Sequence, residues 1–568
     1  MFLHMNPGPL TRSDAVLFRR VARALLLSAF VSGCARVEAP THSSPSESAS
    51  MKRIRQVFAR VPLTLAKNHK VITVPDGTVH GFGAGEAYPQ IWLRDSAWIV
   101  PAAAAYYDAE TLTSWLDLHL AAAGKNGRLR DWVAAGTPDV FREWAPQVAA
   151  VGGLSVDTNS NESDQEPSAA LAYCRAREAL PAKRAADDAE HVGRVALLSR
   201  ALNALIKDRT DRKTGLVWSG LTADWGDVSP LYPDQRAIYQ DEKTPRTLSL
   251  YSNVMVHAAL NCLASLAAET KTREHLAARA SLLRDRIRSA FWLKDRGYFR
   301  IRRPLDRPPS EAFGRDEDAR FALGGNALAA LTGVADDAQA AAIFETAERL
   351  RAASNFSTIS TTLIPPYDAG VFLHPAMREP FKYQNGGQWD WFGAPLVQAE
   401  FERGHAASAR THLDQIVART LRAGEGIHEW YAQDGSPKGS GAYAAAAAAI
   451  HSAIVKGLLG VSRADSGYRV ILRTGETLLP FEIPMRAAGT RLVVSQTVWE
   501  SAIEVQVSGT VPVVEVCSLL PKGAMPGDVA ALDATMKHSV RTVGSDMLRC
   551  VNPTSTALPL RVTLRLKR

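Results

Sequence analysis

The sequence predicts a mainly α-helical protein in which helical hairpins close into a ring, followed by a small antiparallel β-sandwich. Three observations carry this expectation. From about Pro89 to Gly460, Ala- and Leu-rich runs with apolar residues at helical spacing follow one another, each bounded by Gly, Pro or Asp. Their connections alternate between short joints and long loops dense in Trp, Tyr, Asp and Asn, which suits a ring with turns at one end and functional loops at the other. After Gly460 the pattern changes to short β-branched or alternating runs separated by Gly, Pro and Asn. No repeat at a fixed period is visible, which disfavours a solenoid.

The chain opens on an address. Arg19, Arg20 and Arg23 precede or open the apolar run Ala22 to Val31, which ends at Val31-Ser32-Gly33-Cys34. The run is too short for a permanent membrane span. Residues 1–33 resemble a bacterial lipoprotein signal, with cleavage before Cys34 and lipid on its thiol. An ordinary secretory signal, or translation from Met51, is the competing reading. Residues 34–50, rich in Pro and Ser, read as a flexible tether. The expected location is the periplasm, with a lipid anchor to a bacterial membrane if Cys34 is modified.

Of the 568 residues, 46% are hydrophobic and 22% charged, which provides for a large core and more than one domain. Residues 1–33 hold four Arg and one Asp, so their removal lowers the formal charge from +8 to +5, too little for a nucleic-acid footprint. Cys174 and Cys262 fall in apolar helical runs and read as small buried hydrophobes. Cys517 and Cys550 lie in the β region, where export permits them to pair as a disulfide. No C-x-x-C and no His or Cys cluster at zinc spacing occurs, so no metal is expected. With no phosphate loop and no dinucleotide fingerprint, no nucleotide cofactor is expected either.

The region 51–462 contains eleven expected helices: Ser96 to Tyr107, Ala109 to Ala123, Pro167 to Leu180, His191 to Lys207, Leu248 to Ala268, Thr272 to Phe291, Gly325 to Leu331, Ala338 to Ala352, Ala394 to Arg403, Ala406 to Ala423 and Ala442 to Leu459. Gly324-Gly325 and the Gly81 to Gly85 stretch read as turns. The region 463–568 contains the expected strands Tyr468 to Arg473, Leu492 to Thr497, Ile503 to Val507, Val513 to Cys517 and Leu560 to Leu566.

Five polar, aromatic-rich islands interrupt the helices: Gln90 to Ser96, Asp157 to Gln165, Trp218 to Asp227, Tyr383 to Trp391, and Gly426 to Tyr431 with its continuation to Tyr443. Flat faces for sugar rings beside carboxylates and amides for hydroxyls are what a carbohydrate site needs. Cleaving a glycosidic bond takes a carboxylic acid to protonate the departing oxygen and a second carboxylate on the opposite face. Glu429 is the candidate base. The acid must stay protonated near neutral pH, and Asp227, beside Trp225 and with Asp224 close by, is preferred to Asp224 for that role.

Here the chain resembles the six-hairpin glycosidases, the (α/α)6-barrel superfamily of glucoamylases, trehalases, processing glucosidases and disaccharide phosphorylases. Trp92-Leu93-Arg94-Asp95-Ser96 is similar to their early substrate-binding turn. Ala223-Asp224-Trp225-Gly226-Asp227 is similar to the Ala-Asp-Trp-Asn-Asp of the phosphorylases, with Gly226 departing from the pattern. Tyr383 to Trp391 resembles an Asn-Gly-Gly-x-Trp loop, and Glu429-Trp430-Tyr431 with Gly435, Gly439 and Tyr443 resembles the loop that supplies the base. The resemblance covers roughly residues 80 to 460 and implies an inverting, exo-acting hydrolase of an oligosaccharide, with carboxyl oxygens about 6.5 to 9.5 Å apart.

On this reading Arg94 and Asp95 bind sugar hydroxyls and Trp92 stacks on a ring, while Gln384, Asn385, Trp389, Asp390, Trp391, Trp225, Trp430 and Tyr431 line further subsites. Glu162, Asp164 and Gln165 hydrogen-bond the same sugar or start a helix. The structural alternatives are an ion pair for Arg94 and Asp95, a turn for Gly386-Gly387, and a capping or salt-bridging Glu429. A phosphorylase of the same fold would need a cationic phosphate pocket. A polysaccharide lyase on a helical toroid would use Tyr383, Asn385 or His428. A non-catalytic sugar-binding protein leaves the paired carboxylates unexplained.

Overall fold

The computed structural model describes residues 46–567, apart from 76, 180–188, 307–312, 314–315, 487–489, 532–536 and 554–557. The expected signal, Cys34 and the tether up to residue 45 lie outside the described residues. Among the described residues no helix is long and apolar enough to cross a membrane.

Twelve α-helices occur among the described residues: α1 Ala49–Asn68, α2 Leu93–Ala103, α3 Ala109–Ala121, α4 Gln165–Ala179, α5 Ala189–Arg209, α6 Leu250–Leu266, α7 Thr270–Phe291, α8 Leu323–Leu331, α9 Asp337–Ala353, α10 Asp390–Glu402, α11 Ala406–Arg422 and α12 Ala444–Ser452. The last runs on as a wider-turned stretch, Ala453–Leu458. Eleven fall where periodicity places them. The exception is α1, although Met51, Ile54, Val57, Phe58, Val61 and Leu65 have helical spacing and are all buried. Its start is fixed by Ser48, whose hydroxyl accepts from the Met51 amide at 3.2 Å. Asp108 caps α3 in the same way, and Asp336 with Gln339 forms a capping box at α9.

α2, α4, α6, α8, α10 and α12 each pack on the next, and α12 packs on α2, so their contacts form a closed cycle. These helices are buried on nearly every side. In α12 every residue from Ala444 to His451 is buried, and a helix that never meets water can be apolar all round. The remaining helices back them: α3 and α5 on α4, α7 on α6, α9 on α8, α11 on α10, and α1 on α11 and α12. In α7 only one stripe, Leu276, Ala280, Leu283, Ile287 and Phe291, is buried.

The neighbouring helices α4 and α6 bring Cys174 and Cys262 to a Cα separation of 6.1 Å, and the two form a disulfide. This corrects their reading as separate buried thiols. Eighty-eight residues divide them in sequence, and only the packing of two non-consecutive helices makes them partners.

From Ser462 the chain forms two five-stranded sheets. One orders Ser462–Ala464, Gly467–Leu472, Val513–Leu519, Asp546–Asn552 and Lys537–Val543; the other orders Leu478–Arg486, Thr490–Val498, Ala502–Gly509, Leu560–Lys567 and Met525–Ala531. The pairing is antiparallel except between Gly467–Leu472 and Val513–Leu519, which run parallel. The three intervening strands belong to the opposite sheet, so the chain crosses over and returns in the same direction, which strict hairpin succession does not allow. Cys517 and Cys550 face each other across one pair and are bonded. The sheets join the helices through Phe58, whose ring meets Phe481 at 4.9 Å, and through Asp546, which accepts the Ala406 amide at the start of α11 at 2.9 Å.

Candidate active site

Four of the five islands run directly into the N-terminus of a helix of the closed cycle, namely α2, α4, α10 and α12; the fifth, Trp218 to Asp227, lies between α5 and α6. The site is therefore built at helix starts, where free amides and the helix dipole favour carboxylates. Arg94 and Asp95 stand in the first turn of α2, and Asp390 is the first residue of α10.

Arg94 is the centre of the charge arrangement. Its Nε donates to Asp164 Oδ2 at 2.7 Å, its Nη1 to Asp227 Oδ1 at 2.6 Å, and its Nη2 contacts Glu162 Oε2. Asp164 is further held by the Tyr251 hydroxyl at 2.8 Å, and Glu162 accepts from Asn159 Nδ2 at 3.0 Å. The side chain of Asp227 is 31% exposed, whereas those of its partners Arg94, Glu162 and Asp164 are buried. Gln384 grips Asp227 twice: Nε2 donates to Oδ2 at 2.7 Å, and Oε1 accepts the Asp227 amide at 3.0 Å. Burial pushes the Asp227 carboxyl up, but the Arg94 charge, with hydrogen bonds from Glu162, Gln384 and Arg94, brings it below the usual carboxylate range.

Glu429 lies in the same electrostatic unit. Tyr88 Oη donates to its Oε2 at 3.1 Å and the Ser440 amide donates to the same oxygen at 3.0 Å. A methyl group at Gly439 would run into the Glu429 side chain, and φ of +69° there also requires glycine, so the turn after Lys438 closes tightly over the carboxylate. Burial raises Glu429 to about 7 against the pull of the Ser440 and Tyr88 hydrogen bonds, with the Asp227 charge adding to the rise. Asp95 accepts from Tyr443 Oη at 3.0 Å and is likewise raised by burial to about 7. Tyr383 Oη stands 3.5 Å from Asp227 Oδ2, and its ring lies 6.1 Å from that of Trp430. Tyr88, Tyr383 and Trp430 are half-buried, so together with Asp227 they form the part of the site open to solvent.

Asp224 stands apart from this unit. Its φ is +55°, and its Oδ2 accepts from the Gly325 amide in the first turn of α8 at 3.2 Å. Burial raises it to about 7 against that amide. Gly324 and Gly325 are no loop turn, as the sequence suggested, but open α8. A methyl group at Gly324 would collide with Trp225 and Asp224, so the glycine lets the acidic loop seat on the helix start.

Several residues expected to touch sugar face inward instead. Asn385 accepts the Tyr367 amide at 2.8 Å and donates to the carbonyls of Tyr367, Met377 and Glu379, which shapes its loop. Asp390 accepts from Ser360 Oγ at 2.7 Å and pairs with buried Arg419, whose guanidinium lies 3.8 Å over the Tyr431 ring. Trp225, Trp389 and Trp391 pack together with Phe392 and are buried. Gln165 donates to the Asn159 carbonyl at 2.8 Å at the start of α4, which favours its helix-start reading. Trp92 packs 6.0 Å from Trp132 and stays partly exposed. Alternation of polar and aromatic residues marks a loop as special but does not tell which side of it faces inward. Tyr88 and Asp131 carry no motif and stand outside the five islands. The only cue for Tyr88 is its place six residues before Arg94.

No family model matches the sequence, and no curated protein matches it. Solved structures do match. The α-L-rhamnosidase of Streptomyces avermitilis complexed with L-rhamnose superimposes with a TM-score of 0.53 at 14% identity, covering 92% of this chain and 42% of that one. The GH78 family rhamnosidase of a Bacillus species gives 0.54 at 17% identity, covering 85% and 43%. The GH63 mannosylglycerate hydrolase of Thermus thermophilus, in complex with Tris and D-glycerate, gives 0.49 at 17% identity, covering 70% and 99%. The chain spans less than half the length of these two rhamnosidases. Their likeness is one of fold, and they belong to the six-hairpin glycosidase superfamily that four of the five islands resemble.

Proposed function

We propose that this chain is a glycoside hydrolase on an (α/α)6 toroid, with a β-sandwich at 463–568, that cleaves a neutral glycan with inversion. Asp227 protonates the departing oxygen as general acid, and Glu429 takes a proton from the attacking water as general base. The observation that carries the reading is the meeting of Asp227 and Glu429, far apart in sequence, in one electrostatic unit with Tyr88 and Tyr383 beside them. A base with a pKa near 7 is well matched to neutral pH. Both hydrogen bonds to Glu429 fall on Oε2, which leaves Oε1 for the water. Asp224, turned toward α8, has a capping role. The cycle of helix contacts and the fold shared with rhamnosidases support the toroid.

Charge supports hydrolysis over the alternatives. Phosphorolysis, or removal of a proton beside a uronate, needs a cation free to meet an anionic partner. Arg94 is already in contact with three carboxylates, so an anion brought here would be repelled. The inward-facing Asn385 is also out of reach for a lyase role. The two disulfides support export, in keeping with a periplasmic protein anchored through Cys34.

One observation favours a second reading with the roles exchanged, Glu429 as acid and Asp227 as base: Arg94 holds Asp227 ionised in the resting site. Leaving-group dependence separates the two. The test uses 4-nitrophenyl, 2,4-dinitrophenyl and methyl glycosides of glucose, mannose and L-rhamnose, with the product anomer followed by proton NMR. Asp227→Asn is expected to spare only the 2,4-dinitrophenyl substrate, and Glu429→Gln to lose at least about 10²-fold on every substrate. Retained configuration, or full activity in either variant, would sink the proposal.

A further inference from the structure

Arg94 is a single cation in direct contact with three carboxylates, those of Glu162, Asp164 and Asp227. Other groups face the cluster from several elements. Asp131 is buried beside it, Tyr251 of α6 donates to Asp164, Gln384 and Tyr383 hold Asp227 from the loop before α10, and Arg209 of α5 donates to the Glu162 carbonyl and Ser163 hydroxyl. Arg209 thus binds the carbonyls of the loop and the Ser163 hydroxyl rather than its carboxyls. Three adjacent carboxylates cannot all ionise against one guanidinium in a buried site, so the cluster holds a proton at neutral pH.

Where that proton sits follows from the partners. Asp164 receives two Arg94 N–H groups and the Tyr251 hydroxyl, all donors to a carboxylate. Asp227 receives Arg94 and Gln384 donors, with the Tyr383 hydroxyl at 3.5 Å, and is the one carboxyl of the three that is part-exposed. Glu162 is buried, has one Arg94 contact and amide donors from Asn159 at 3.0 Å and Gln165 at 3.5 Å, and hydrogen-bonds with Asp227. Burial, reinforced by Asp164, Asp227 and Asp131 against the Arg94 charge, holds the Glu162 carboxyl well above the usual range.

We propose that Glu162 is a positioning residue that stores the proton Asp227 must deliver, the two carboxyls sharing it across one hydrogen bond on adjacent N–H groups of Arg94. This rests on Asp227 being the acid. In the loading step the Glu162 O–H bond breaks and an Asp227 O–H bond forms, while Arg94 stays between two carboxyls whose summed charge is unchanged. Asp227 then gives the proton to the glycosidic oxygen as the C–O bond breaks. Water adds to carbon and its proton passes to Glu429. Glu429 releases that proton to solvent, and the Glu162–Asp227 pair takes one up, which restores the starting state.

The test compares wild type with Glu162→Gln, which keeps a donor to Asp227 but has no proton to give. Expected are a loss of roughly 10²-fold in kcat on methyl and 4-nitrophenyl glycosides, a change within about threefold on the 2,4-dinitrophenyl glycoside, and an alkaline limb of kcat/KM moved to lower pH. Infrared difference spectra at pH 7, wild type minus variant, are expected to show a protonated-carboxyl band for Glu162→Gln and none for Asp164→Asn. Equal losses on all leaving groups, or no protonated-carboxyl band in the wild type minus Glu162→Gln difference, overturns the inference while leaving hydrolysis by Asp227 and Glu429 intact. Absence of hydrolysis across the panel, or an acid role for Glu429, sinks the reading it rests on and the inference with it.

Discussion

Tyr88 donates its hydroxyl proton to Glu429 Oε2 at 3.1 Å across 341 residues of sequence. The bond stabilises the ionised form of a carboxyl that burial otherwise holds protonated. Its removal in Tyr88→Phe raises the Glu429 pKa further, so the acid limb of kcat/KM shifts to higher pH. The loss at pH 7 is several-fold, in line with about 1 kcal/mol for one hydrogen bond to a buried group. A pH profile of the variant against wild type checks this, and an unmoved limb would remove Glu429 from the base role.

Glu429 also costs stability. Its pKa is about 7 in the folded protein against 4.5 unfolded, so between those values the folded state binds more protons, and stability falls as pH rises. The loss is complete above pH 7 and comes to about 3 kcal/mol, from roughly 1.4 kcal/mol per pH unit. Glu429→Gln is therefore expected to melt higher than wild type at pH 8 and level with it at pH 4, measured by calorimetry, while being inactive at both.

Asp390 and Trp430 separate support from contact. Asp390→Asn leaves Arg419 buried beside a neutral partner, which is expected to cost about 3 to 5 kcal/mol in urea unfolding with KM little changed. Asp390→Leu combined with Arg419→Met recovers most of that loss. Trp430→Ala, at the solvent-facing edge, is expected to raise KM by roughly three- to tenfold, as for the loss of one aromatic face, with stability little changed.

The disulfides give a chemical check. Peptide mapping without reduction is expected to recover Cys174 linked to Cys262 and Cys517 linked to Cys550. Replacing Cys174 and Cys262 together by Ser is expected to destabilise by about 2 to 4 kcal/mol, because the bond closes a long stretch of the unfolded chain.

The helices were legible because each obeys one rule along its own length. Apolar period and polar punctuation place eleven of the twelve, and α12 shows full burial in its unbroken alanines. The loops of the site were legible as loops. What was not legible is orientation: Asp390 and Arg94 look equally polar in the sequence, and only α11, which carries Arg419, decides that Asp390 faces inward. The same holds for Cys174 and Cys262, and for Asp224, whose inward turn depends on the missing side chain of Gly324. Pairing between distant segments is a property of the closed cycle and leaves no mark on either segment alone.

Because α12 seats against α2, the last member of the cycle supplies groups that the first one needs: Tyr443 reaches Asp95 across 348 residues. A ribosome must therefore finish nearly the whole helical region before this contact can exist. A chain still being synthesised lacks it, and the candidate site is complete only when the final segment closes the cycle of helix contacts.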